Sequence, residues 1–167
     1  MNKNIIGRWM VDASINKKEV SDGDTTFIFI RGVSVDEYFA DGSFNSEGKL
    51  RMVIKNDFNY IDALVNIFEA SEWKIIDNTC FSKRLTIKTN IESLFVDEEK
   101  VDDNDAKDEI IGNPLKDIFK IGETKKSEVV EASDSRLILV EELSDGSELV
   151  VHGVKTKKQF AGLKIDI

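Results

Sequence analysis

The sequence predicts an all-β fold with one short helix, its strands arranged around a single tryptophan. Three observations carry this. From Gly7-Arg8-Trp9, the residues Trp9, Val11, Ala13 and Ile15 alternate with Arg8, Asp12 and Ser14, the period of a strand with one buried face. Turn signals such as Ser21-Asp22-Gly23-Asp24, Asp41-Gly42 and Asp77-Asn78 recur between apolar runs, as hairpins require. The chain holds one proline, which suits a sheet whose backbone donors are mostly paired. Trp9 is large enough to plug the floor of a closed sheet, and Gly7 lets the chain bend beneath it.

The elements follow in order. Thr25 to Ile30 is β-branched and aromatic and reads as a strand, broken at Arg31-Gly32. Val33, Val35 and Phe39 continue an extended segment with charge on its other face. Asp41-Gly42, flanked by Phe39 and Phe44, is a hairpin. Leu50 to Ile54 is the next strand, with Lys49, Arg51, Val53 and Lys55 on its outer side. Between Asn59 and Glu69, Ile61, Ala63, Val65 and Ile67 alternate, whereas Ile61, Leu64, Val65 and Phe68 fit a helical face. Strand is preferred, because the segment runs straight into Trp73-Lys74-Ile75-Ile76 and the turn Asp77-Asn78. Thr79 to Thr89 is the return strand.

Residues 97–109 are dense in acid, and such a self-repelling run reads as a solvated loop. Asn113-Pro114 then reads as a helix start, with Asn113 as N-cap and Pro114 at the first position. The helix expected over Pro114 to Ile121 has Leu115, Ile118 and Phe119 on one face, with Lys116 and Asp117 toward water and Gly122 as its stop. Glu128 to Glu131, Leu137 to Glu142 and Glu148 to Thr156 form a meander, turning at Ser133-Asp134-Ser135 and Ser144-Asp145-Gly146. Phe160, Leu163, Ile165 and Ile167 form a last strand or a tail.

At 167 residues the chain is expected to be one domain, 1–167, long enough to bury a core. The net charge of −9 argues against nucleic acid and anionic membrane surfaces as partners, since both need a cationic face. It leaves a basic protein partner open. One cysteine, Cys80, excludes an intramolecular disulfide. No apolar run approaches the roughly 20 residues of a membrane span, so no membrane insertion is expected. With Met1 as the native start the location is cytoplasmic; export with a removed signal is the alternative.

No catalytic apparatus is recognisable, and the expectation is a non-enzymatic protein without cofactor. His152 is the one histidine, so a zinc site of usual composition is not expected. Cys80 reads as a small buried residue rather than a reactive thiol. Asp102, Asn104 and Asp108 have the spacing of a calcium loop, but Lys107 stands where that loop needs glycine; no metal site is expected.

Gly7-Arg8-Trp9, the hairpin Tyr38-Phe39-Ala40-Asp41-Gly42-Ser43-Phe44 with Glu47-Gly48-Lys49-Leu50, and Glu72-Trp73-Lys74-Ile75 before Asp77-Asn78-Thr79 together resemble small bacterial lipocalin-like proteins. The terminal meander, preceded by a short helix, matches too. The resemblance implies an up-and-down antiparallel β-barrel of calycin type, with about eight to ten strands. The interval between Thr25 and Asp41 would then hold an extra hairpin or bulge. The cation over Trp9 would be Arg136 or Lys155.

The function expected is that of a binding protein holding a small apolar ligand. The ligand-binding positions would be Phe27, Phe29, Phe39, Phe44, Met52, Ile54, Val65, Ile67, Leu85, Ile87, Leu139, Val151 and, from the helix, Phe119. The bland alternative is that these side chains simply fill the barrel. The alternative function is an acidic inhibitor- or immunity-type module that caps a basic partner protein. The helix would lie over one open end of the barrel as a lid, because a short helix must bury its apolar face.

Overall fold

The first two strands set the frame. In the computed structural model, which describes residues 5–143 and 146–162 (the side chain of Asp117 excepted), β1 (Gly7–Ser21) and β2 (Asp24–Tyr38) pair along their whole length. The turn between them places Asp22 and Gly23 at positive φ, 52° and 89°. β3 (Ser43–Lys55), β4 (Tyr60–Ile76) and β5 (Thr79–Val96) follow as antiparallel hairpins. The two-residue strand β6 (Glu99–Lys100) folds back on the end of β5. β7 (Thr124–Ala132), β8 (Arg136–Glu142) and β9 (Glu148–Lys155) complete the chain of pairings. β9 returns to β1, so eight strands close into an up-and-down antiparallel barrel, with β6 outside the ring. The architecture is consistent with a general calycin-type fold.

Several expectations change. Arg31-Gly32 does not interrupt β2: the strand is continuous, Gly32 pairing with Ala13 and with Leu50, and the interval before Asp41 holds neither extra hairpin nor bulge. Of residues 59–69, Asn59 belongs to the preceding turn and 60–69 are strand, as preferred. The acidic stretch is not a loop throughout. Helix α1 (Asn104–Lys107) begins within it, its N-cap Asp103 accepting a hydrogen bond from the Ala106 backbone N–H. It continues through one π-helical segment (Asp108–Gly112) into α2 (Asn113–Ile118). The helix therefore starts ten residues before Pro114 and stops at Ile118. A carboxylate at the N-terminus offsets the self-repulsion of the acidic run, because it meets the positive end of the helix dipole. Asn113, the expected N-cap, lies inside the helix. Ser144 and Asp145 of the expected turn lie outside the described residues, as do Leu163, Ile165 and Ile167 of the expected tail and the side chain of Asp117.

Two apolar clusters fill the ends. At the narrow end Ile5, Trp9, Val11, Tyr38, Phe44, Cys80, Val129, Leu137 and Leu139 pack together. Trp9 is fully buried, its indole N–H donating to the Ile5 carbonyl at 2.8 Å. Lys155, one of the two expected cations, holds its Nζ 4.1 Å from the Trp9 ring centre. Gly7, at φ 119°, is needed there: a side chain on it would strike Lys155. At the wide end Met52, Ala63, Val65 and Leu94 of the wall meet Ile111 and Leu115 of the helix. The helix thus buries its apolar stripe on the inner face of the long strands, as its marginal intrinsic stability demands.

The barrel is lopsided. β1 to β5 run 13 to 18 residues, whereas β7 to β9 run 7 to 9. β9 holds β1 only from Trp9 to Asp12, and β7 holds β5 only from Thr79 to Lys83. The wall is therefore continuous around the Trp9 floor and splits along both seams toward the helix end.

Candidate functional site

Directly paired residues on neighbouring strands share a face, so the register identifies what lines the interior. Trp9 is opposite Asp36, Asp36 opposite Ser46, and Ser46 opposite Glu69. Further round, Ser71 is opposite Arg84, Ser82 opposite Lys125, and Ser127 opposite Glu141. A polar belt thus lies between the Trp9 floor and the apolar cluster under the helix. Its position on β5 depends on a bulge. Ala70 pairs with Thr86 but Ser71 pairs with Arg84, so Leu85 is the extra residue and the shift turns Arg84 inward.

Arg84 is 2% exposed. Its Nε sits 3.0 Å from Glu69 Oε2, yet Nε makes no aligned hydrogen bond, so the contact is Coulombic. Nη1 donates to the Lys120 carbonyl at 3.3 Å, and the guanidinium carbon lies 5.3 Å from the Phe119 ring centre. The Ser71 hydroxyl donates to Glu69 Oε1 at 2.7 Å. Glu69 and Arg84 are therefore each other's counter-ions, as are Lys125 and Glu141 at 3.6 Å.

Asp36 is different. Its Oδ1 accepts from the Ser34 and Ser46 hydroxyls, each at 2.7 Å, and among the described residues no cation bonds to it. Enclosure by protein pushes its carboxyl up to about 6, the two hydroxyls opposing that shift; Glu69 acts to raise it and Lys125 to lower it. Beside it, burial raises the Tyr38 phenol well above its ordinary value, and the charges of Asp36, Cys80 and Glu69 act in the same direction. Asp36 is nevertheless only half-buried by accessible surface, as are Ser34 and Ser46.

The positions expected to line the interior divide. Phe44, Met52, Ile54, Val65, Ile67, Ile87, Leu139 and Val151 face inward by register. Phe27 and Phe29 do not. They pair with Lys55 and Val53 on the outer wall and line an outside recess of about 360 Å³ with Lys18 and Asn16. Leu85 is the bulged residue and is 47% exposed. Phe39 lies in the β2–β3 turn, where its carbonyl accepts from Gly42 and from the Trp73 indole. Phe119 caps the helix, packed against the wide-end cluster and beneath Arg84. Ile118, expected beside it, is 51% exposed. A second outside recess of about 540 Å³ runs past Arg8, Glu37, Phe68, Lys88 and Phe160.

Asp36, Ser46, Glu69 and Arg84 were not legible as site residues. In Thr25-Thr26-Phe27-Ile28-Phe29-Ile30 both faces are apolar, so hydrophobicity alone does not fix which parity points inward. The signal that could have found Asp36 is the alternation from Trp9: its cross-strand partners must share its face.

Cys80 is 3% exposed in the narrow-end cluster, and burial raises its thiol to about 11. His152 is exposed on β9, opposite Asp12 and Ile138. Asp102 is bound to Lys100 at 2.7 Å, and among the described residues no three His, Cys, Asp or Glu side chains form a group that could hold a metal. No described helix is long and apolar enough to cross a membrane. No protein-family model matches the chain, and no curated protein matches it.

Proposed function

We propose that the protein binds a small molecule with an apolar body inside the barrel, between the Trp9 floor and helix 104–118, and does so without chemistry. The observation that carries this reading is the polar belt. Asp36 is surrounded by protein yet keeps accessible surface, which follows if that surface borders an internal space. Above it the inward residues Ile67 and Ile87 are only half-buried, and Thr89 is exposed. The split seams on either side of the helix provide access. Apolar walls with a few placed polar groups are the usual composition of a small-molecule site, and an eight-stranded barrel is just wide enough for one.

Uptake of the neutral apolar dye N-phenyl-1-naphthylamine tests this. Saturable fluorescence enhancement is expected, weakened when Ile67→Trp fills the space. No enhancement, or enhancement that Ile67→Trp leaves untouched while Phe27→Ala and Phe29→Ala abolish it, would put the dye outside and end the reading.

One observation favours a second reading, a basic protein partner. Asp102, Asp103, Asp105, Asp108 and Glu109 are all exposed on the segment that covers the wide end. An acidic face accelerates encounter with a cationic partner. Replacing Asp102, Asp105, Asp108 and Glu109 by their amides is expected to abolish salt-sensitive complexes without altering dye uptake. Complexes with unchanged salt dependence would refute it.

A further inference from the structure

Among the described residues of the polar belt, three carboxylates, Asp36, Glu69 and Glu141, face two cations, Arg84 and Lys125, while Lys155, opposite Trp9, is occupied over the indole ring and by the Ile6 carbonyl. Glu69 has Arg84 and Glu141 has Lys125; Asp36 has two serine hydroxyls and no cation among the described residues. A carboxylate held inside protein without a counter-ion carries a desolvation cost that an incoming positive charge would remove. Ser34 and Ser46 both donate to the same oxygen, Oδ1, which fixes the carboxylate's orientation. Asp36 also stands beside the Trp9 floor, at the far end of the interior from the helix, where the head of a molecule entering from the wide end would arrive.

We infer that Asp36 is the anchor for the protonated amine of the ligand, so that the molecules bound are apolar amines rather than neutral lipids or fatty acids. This rests on the reading that the interior takes a ligand. Arg84 does not compete as an anchor for an acid, because Glu69 already neutralises it and it lies buried against the Phe119 ring. The ligand's apolar chain would run from Asp36 past Ile67 and Ile87 toward Met52 and Ile54, which face inward on the intervening strand β3. A charge-assisted hydrogen bond inside the barrel is worth enough to separate an amine from an alcohol of equal length by about tenfold or more.

The test is a calorimetric titration with octylamine, 1-octanol and octanoate at pH 7.5, repeated with Asp36→Asn. Octylamine is expected to bind about tenfold or more tighter than 1-octanol, with octanoate weakest. Asp36→Asn should erase the amine's advantage and leave octanol binding in place. Equal binding of amine and alcohol, tightest binding of octanoate, or an amine preference that survives in Asp36→Asn would overturn the head-group assignment and leave interior binding standing. No binding of any of the three would overturn both. Should Asp36→Asn fail to fold, wild-type titrations decide: the amine's advantage should shrink as pH falls from 7.5 to 5, while octanol binding stays level. The titratable groups that act on Asp36 are Glu69 from β4 and Lys125 from β7, and Tyr38 on β2 feels its charge. Glu69 and Lys125 each hold an ion-pair partner, Arg84 and Glu141, and burial raises the Tyr38 phenol above its ordinary value, so a level amine advantage would count against Asp36.

Discussion

Asp36 works against the fold and Trp9 for it. With its folded-state value near 6 and an unfolded one near 3.9, Asp36 binds its proton more tightly in the native protein. Stability should therefore fall as pH rises from about 4 through 6 and then level off, by on the order of 3 kcal/mol for this one group. Asp36→Asn should remove that slope and raise stability at pH 7.5. Urea melts of both proteins at pH 4.5 and 7.5 would check it, and a wild-type slope retained by Asp36→Asn would assign the pH dependence elsewhere. Trp9→Ala should cost about 3–5 kcal/mol, because the indole is fully buried at the centre of the narrow-end cluster and the floor cannot collapse into the space it leaves. Cys80, buried with its thiol raised to about 11, should resist iodoacetamide at pH 8 until the protein is denatured. Alkylation at the rate of a free thiol under native conditions would show that the narrow end opens.

The helix shows how local chemistry and tertiary packing share the work. Pro114 and Asn113 suggested a start that the structure puts well inside the helix, because Asp103 caps it earlier and the π-helical segment brings Ile111 and Leu115 onto the wall together. The π-segment has no periodic signature in the sequence, so the alternation rules for strands and helices could not locate it. Leu115→Ala should cost about 2–5 kcal/mol of protection across residues 104–118, since it removes a fully buried side chain. Asp103→Ala, which removes only the cap, should cost about 1 kcal/mol. Hydrogen exchange separates the two. If amides in 108–118 exchange as fast in wild type as in Leu115→Ala, the helix is not docked. The strands were more legible: hairpins at Asp22-Gly23, Asp41-Gly42 and Asp77-Asn78 lie where their turn residues put them. What the strands concealed was parity, since Phe27 and Phe29 are as apolar as the inward Ile28 and Ile30, and a bulge at Leu85 changes the parity of Arg84 without any glycine to mark it.

On the scale of the molecule, floor, belt and lid are three layers of one barrel. The floor is apolar and closed, the belt polar, and the lid a helix with an apolar inner stripe and an acidic outer face. The long strands β2 to β5 carry the helix, and β9 and β7 pair with β1 and β5 only near the floor, so both seams part toward the helix. Low-stability elements are the ones that open, which makes the helix and the four-pair β1–β9 seam the parts expected to move when a molecule enters. The outside recesses at Phe27 and Phe68 compete as places for an apolar molecule to rest, and solution structure distinguishes them from the interior. Intermolecular nuclear Overhauser effects from bound octylamine decide most directly. The chain methylenes are expected to contact Met52, Ile67 and Ile87, with the carbon bearing the amine nearest Asp36 and Trp9. Contacts confined to Phe27 and Phe29, or to Phe68, would place the molecule on the outer wall and contradict an interior site.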